Sequence, residues 1–169
     1  MKGEEYKIYL SDEQYDECVD YANKIHEQKK NYESCTPFSP NYELVGAMGE
    51  KVFSLLSGLP MNKKILIGGD NGLDFKYNVQ VKTSEEHKAK HLIEYIDKFD
   101  KLITTSPKGY YVFVIVNLEE KYGYVCGIIS FNEFRKKLRI MNFKYGDRYA
   151  VELSELHEYI PKIYKNIEL

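Results

Sequence analysis

A chain of 169 residues, 43% hydrophobic and 30% charged, has the make-up of one folded domain and excludes an intrinsically disordered one. Its net charge of -2 excludes a protein whose main task is to coat nucleic acid, while leaving room for a local basic face. No apolar run reaches bilayer-spanning length, and Met1-Lys2-Gly3-Glu4-Glu5 lacks the apolar stretch of a signal peptide, so the expectation is a cytoplasmic protein with no membrane partner.

Ser11-Asp12-Glu13-Gln14 is a capping box, and Tyr15, Cys18, Val19, Ala22 and Ile25 follow at helical spacing, predicting a helix over about residues 11–30. A polar loop with Pro37 and Pro40 leads to a second helix over about 42–56, ended by Gly58 and Pro60. Ile65-Leu66-Ile67 reads as a short buried strand, and Gly68-Gly69-Asp70-Asn71-Gly72 as a turn. Leu73-Asp74-Phe75 resumes extended chain, and Asn78 to Thr83 alternates, with Val79 and Val81 on one face and Gln80 and Lys82 on the other.

The stretch 84–105 fits two patterns. Leu92, Ile96, Phe99 and Ile103 suit a helix, whereas Leu92-Ile93-Glu94-Tyr95 suits a strand. On a helix His87 and His91 would share one face, and the expectation for them is exposed polar residues rather than metal ligands. Residues 110–117 and 122–129 read as neighbouring strands. Ser130-Phe131-Asn132-Glu133 opens a short basic helix, residues 141–153 form a late strand or hairpin, and 154–166 a last helix, bent or started at Pro161. The whole reads as a single α/β domain over 1–169, a mixed central sheet flanked by helices.

Cys18, Cys35 and Cys126 are odd in number, far apart and without a CxxC pair, so buried or half-buried thiols in a reducing compartment are expected. A GxSxG elbow, a GxxxxGK[ST] phosphate loop and a complete calcium loop are all missing from the sequence. Sixteen tyrosines and no tryptophan point to tyrosine-rich packing, with contacts to bases or sugars as a second use.

Gln80 and Lys82 leave the same face of a strand, and a tight bend at Phe75-Lys76-Tyr77-Asn78 would bring the Asp74 carboxylate beside them. A carboxylate, an amide oxygen and main-chain oxygens suit a hard cation, and a lysine beside it can orient water or balance charge on a phosphate. As a bare pattern, Gln80 and Lys82 would also suit a solvated strand face.

Asp74 followed by Gln80-Val81-Lys82-Thr83, after the glycine-rich Gly68 to Phe75, resembles the PD-(D/E)XK nuclease signature. Gly46-Ala47-Met48-Gly49-Glu50 resembles the first core helix of that superfamily, which often lends a glutamate to the metal site. Val125-Cys126-Gly127-Ile128-Ile129-Ser130 and the strand before it look like its distal part. The resemblance covers about residues 42–155. It implies a restriction-endonuclease-like fold and magnesium-dependent hydrolysis of DNA phosphodiesters, with manganese able to substitute. It also implies Asp74, Gln80, Glu50 and the Val81 carbonyl around the metal and Lys82 on the attacking water. Gln80 stands where the superfamily usually has an acid, as in some homing and transposition endonucleases. The spacing from Asp74 to Gln80 is short, and Asp70 is the longer-spaced alternative.

Thr83, His87, Lys88 and Lys90 beside the site, and the basic run Arg135, Lys136 and Lys137, are the candidate DNA contacts. Cutting both strands of a duplex would be simplest for a homodimer or higher homo-oligomer. The competing expectation is a nuclease fold that has lost catalysis and only grips nucleic acid or a protein.

Overall fold

The computed structural model describes residues 2–29, 40–62 and 74–159. The predicted strand at 65–67 and the glycine-rich turn, Asp70 included, lie outside the described residues, as does Cys35. In chain order the described elements are β1 (Ile8–Tyr9), α1 (Asp12–Lys29), α2 (Pro40–Ser57), β2 (Val79–Glu85), β3 (His91–Glu94), α3 (Ile96–Thr105), β4 (Tyr110–Asn117), β5 (Tyr122–Ser130), α4 (Phe131–Lys137), β6 (Arg139–Phe143) and β7 (Gly146–Glu152). The chain is therefore mixed α/β. Among the described residues no helix is long and apolar enough to cross a membrane.

Both expected capping boxes have their serine cap, and the first also has its reciprocal bond. Ser11 and Gln14 exchange bonds, with the Gln14 N–H on Ser11 Oγ at 3.2 Å and the Ser11 N–H on Gln14 Oε1 at 3.0 Å. At α4 the Glu133 N–H donates to Ser130 Oγ at 3.2 Å.

The main sheet has the order β1-β5-β4-β2 and a second sheet the order β3-β7-β6. β2 runs parallel to β4 with Gln80 opposite Tyr111 and Lys82 opposite Phe113, while β4 and β5 are antiparallel. Alternation gives the main sheet two apolar faces. On one, Val81, Val112, Val114 and Val125 pack under α1 and α2 through Cys18, Val45, Met48, Val52 and Phe53. On the other, Tyr111, Phe113, Ile115 and Tyr124 pack against Leu92, Phe99, Phe131, Phe134 and Val151. Cys18 and Cys126 are buried thiols.

A register shift between Phe113 and Val114 pairs them with Gly127 and Val125, leaving Cys126 as the extra residue of a bulge. Tyr122, Tyr124 and Cys126 thus face the same core as Ile129 despite their numbering.

Each of the two patterns in 84–105 holds in part: Leu92 to Glu94 lie in the strand β3, and α3 follows from Ile96, with Tyr95 as the extended residue before the helix. Two expectations are corrected. His87 sits in a 3-10 turn and His91 on β3, so they share no helix face. No helix starts at Ser154 within the described residues either. After one 3-10 turn, Leu153–Glu155, the chain lies extended, and His157 and Ile128 exchange N–H···O bonds of 2.9 Å. The reason is close approach: a Cβ on Gly127 would stand 2.6 Å from Leu156 Cβ and 2.9 Å from His157 O, so glycine admits this segment against β5. Pro161 and the rest of the predicted last helix lie outside the described residues.

Candidate functional site

The site forms at β2, the edge of the main sheet among the described residues, where α2 covers one face and the second sheet approaches from the other. The bend before β2 is a tight hairpin. Tyr77 and Asn78 take left-handed φ of 66° and 58°, and Phe75 pairs with Val79. Such a φ suits Asn but costs a tyrosine about 1 kcal/mol, which the surrounding packing must offset. Phe75 provides it: the ring is buried and meets Phe53 of α2 edge-to-face, centroids 5.0 Å apart.

Asp74 is fixed by this hairpin. Its N–H donates to Val79 O at 3.0 Å, and its Oδ2 accepts the Val81 N–H at 2.7 Å. The N–H and C=O of one strand residue leave on the same side, so the Val81 carbonyl faces the edge that Asp74 occupies.

Glu50 arrives from α2. Gly49 lets the helix lie directly on β2, for a Cβ there would fall 1.9 Å from Thr83 Oγ1. Glu50, Asp74, Gln80, Val81, Lys82 and Thr83 all line one cleft of about 930 Å³. The cleft brings together the residues singled out around QxK, and adds Lys88 and Lys90. His87 is exposed beside it. The Arg135 run lies elsewhere. Arg135 borders a separate depression with Phe99 and Tyr149, Lys136 is exposed, and Lys137 Nζ donates to Glu155 O at 3.0 Å.

A third carboxylate sits at the heart of the cleft. Glu94 on β3 is 1% exposed. Its Oε2 holds Lys82 Nζ at 2.8 Å and accepts the Tyr111 hydroxyl at 3.0 Å, while Oε1 accepts the Tyr95 N–H at 2.8 Å. Burial first, then the Glu94 carboxylate, holds the Tyr111 hydroxyl protonated far above the ordinary phenol range. Tyr111 is therefore a permanent donor to Glu94. Lys82 keeps one-fifth of its side chain exposed, with its ammonium 5.9 Å from the Tyr111 ring centroid.

Glu94 escapes a reading of local pattern, because its role comes from pairing across elements. The available signal is an acid in register with Leu92 on a short alternating strand, a position that demands a partner once buried.

The cleft rim is cationic and aromatic. Lys82, Lys88, Lys90, Lys98 and Arg148 outnumber Glu50, Asp74 and Glu94, giving a positive lining to a chain of net charge -2. Tyr42, Tyr95 and Tyr145 line it while 70%, 45% and 52% exposed.

Asp74, Glu50, the Gln80 amide and the Val81 carbonyl make an all-oxygen donor set. Among the described residues no three His, Cys, Asp or Glu side chains gather into a cage. Magnesium commonly takes one or two carboxylates and keeps its remaining positions for water and substrate phosphate, so this set fits it. Comparison of the chain with protein-family models, with curated proteins and with solved structures finds no match.

Proposed function

We propose that the cleft is the active site of a magnesium-dependent DNA endonuclease of the PD-(D/E)XK type, on a restriction-endonuclease-like core. The observation that carries the reading is the convergence of Glu50, Asp74, Gln80 and Lys82, from one helix, one bend and one strand, on a single positively lined cleft.

In this reading Asp74, Glu50, Gln80 and the Val81 carbonyl hold the metal, with manganese able to replace magnesium. When bound, the ion polarises the scissile phosphate and stabilises the leaving oxygen. The protein's own side chains do the rest. Val81 N–H and the Phe75 anchor keep the Asp74 carboxylate aimed along the β2 edge. Gln80 adds an oxygen without adding charge. Glu94 and Tyr111 fix the Lys82 ammonium from behind, leaving its open side to orient the attacking water and to balance charge growing on the phosphate. Lys88, Lys90 and Thr83 lie where a DNA backbone entering the cleft would run.

The test is cleavage of supercoiled plasmid and branched DNA with magnesium, manganese or EDTA, by wild type and Lys82→Ala. Metal-dependent nicking that disappears in the variant supports the assignment. Binding without cutting by either folded protein would replace it with a catalytically silent DNA-gripping module. Equal cutting by both would remove Lys82 from the site.

A further inference from the structure

α2 carries a glycine that its packing against the described residues does not require. Tyr42, Gly46 and Glu50 are spaced four apart, and all three line the cleft. Among the described residues a Cβ on Gly46 would meet nothing within 4 Å, in contrast to Gly49 one turn away, which is wedged on Thr83. A helix-interior glycine costs about 1 kcal/mol against alanine. At residue 46 that cost leaves a bare strip of cleft wall between the Tyr42 ring and the Glu50 carboxylate.

The opposite rim is built to hold flat groups. Arg148 is fixed by the turn between β6 and β7, donating to Asp147 O at 2.8 Å and Tyr145 O at 3.0 Å. Its guanidinium lies 4.1 Å from the centroid of the Tyr95 ring, which stays 45% exposed. Tyr42 lines the same cleft from α2, 70% exposed. Exposed aromatic rings interleaved with cations around a cleft are what unpaired nucleotides need, with bases on the rings and phosphates on the lysines. A duplex keeps its base faces stacked inside and offers such rings nothing to stack on.

We infer that the cleft takes a single-stranded DNA segment. Its backbone passes over Gly46 toward Glu50 and Lys82, and its bases stack on Tyr42 and Tyr95. The inference rests on the proposed nuclease reading for the direction of travel. It rests on Gly46, the exposed rings and the lysines for the choice of single strand over duplex.

The experiment is fluorescence anisotropy with labelled single-stranded and blunt duplex DNA of equal length, in EDTA at fixed salt, so that binding is read apart from cutting. Wild type should prefer the single strand. Tyr95→Ala should weaken single-strand binding about five- to a hundred-fold, while Tyr95→Phe, which keeps the ring, should stay near wild type. Gly46→Leu should weaken binding at least about tenfold with a melting temperature equal to or above wild type, since it fills the groove and improves the helix. Duplex bound as tightly as single strand, or unchanged binding by both Tyr95→Ala and Gly46→Leu, overturns the inference. Cleavage by wild type but not Lys82→Ala would leave the nuclease reading standing in that case. Single-strand preference in a protein that cuts nothing would sink the nuclease reading, and with it the direction of travel, and leave the choice of single strand over duplex standing.

Discussion

Replacing Lys82 with methionine removes the counter-charge of a carboxylate whose side chain is 0% exposed. Removing one member of a buried ion pair costs about 3–5 kcal/mol, because the other charge is left uncompensated. Here two neutral donors, the Tyr111 hydroxyl and the Tyr95 N–H, remain on Glu94, and Lys82 itself is 20% exposed. Discounting for that screening leaves about 2 kcal/mol. In a domain of this size that lowers the melting temperature by roughly 4–8 °C. Glu94→Gln should cost about 1 kcal/mol, since its amide still accepts a hydrogen bond and the lysine still reaches solvent. The double variant should then cost about 2 kcal/mol, less than the sum, because each substitution removes the same interaction. Urea unfolding of the four proteins, followed by circular dichroism with unchanged m-values, measures the coupling. Costs that add within about 0.5 kcal/mol would refute the pair as the anchor of Lys82. A matching cleavage assay should show Lys82→Met inactive and Glu94→Gln slowed about tenfold or more, as expected for a misplaced catalytic group.

In alkaline titration followed by tyrosine absorbance, Tyr111 and Tyr124, both raised chiefly by burial, should ionise only as the fold is lost. Their folded-state values lie above the unfolded one, so their contribution to stability is complete below about pH 10 and falls above it. The loss should be about 1.4 kcal/mol per pH unit for each ring. Gly49→Ala should lower stability by about 1–3 kcal/mol despite better helix propensity, and should impair cleavage by pushing Glu50 away from β2; a neutral melting temperature would contradict the close packing on Thr83. Gly127→Ala should release the extended segment around Leu156, seen as faster hydrogen exchange at the His157 amide with little change in β4; unchanged exchange would refute the contact.

Local pattern carried the elements that depend on neighbours in sequence. Ser11 and Ser130 announced the starts of α1 and α4, alternation from Val79 fixed the faces of β2, and the apolar run from Tyr111 marked a strand buried on both sides. The stretch 84–105 stays open to two patterns in the sequence because Leu92, Ile96, Phe99 and Ile103 satisfy one helical stripe whether or not Leu92 belongs to a strand. The extended run at Leu156 was hidden because Gly127, far away in sequence, makes the room for it. At the site, Asp74, Gln80 and Lys82 are close in sequence and were readable as a group. Glu94 and Arg148 reach the cleft, and Tyr111 reaches Glu94 behind it, only through the parallel pairing of β2 with β4 and through the second sheet, neither of which a local pattern records.

The bulge in β5 gives that strand an uneven tolerance to deletion. Val125 faces the helices α1 and α2, and Gly127 and Ile129 face the opposite core. A chain lacking Cys126 would pass from Val125 to Gly127 in unbroken alternation, keeping every remaining side chain on its own face. Loss of Gly123, by contrast, would put Tyr122 or Tyr124 on the face where valines pack, whether or not the bulge closed. Along β5, then, the position best able to vanish from a descendant sequence is the buried cysteine itself.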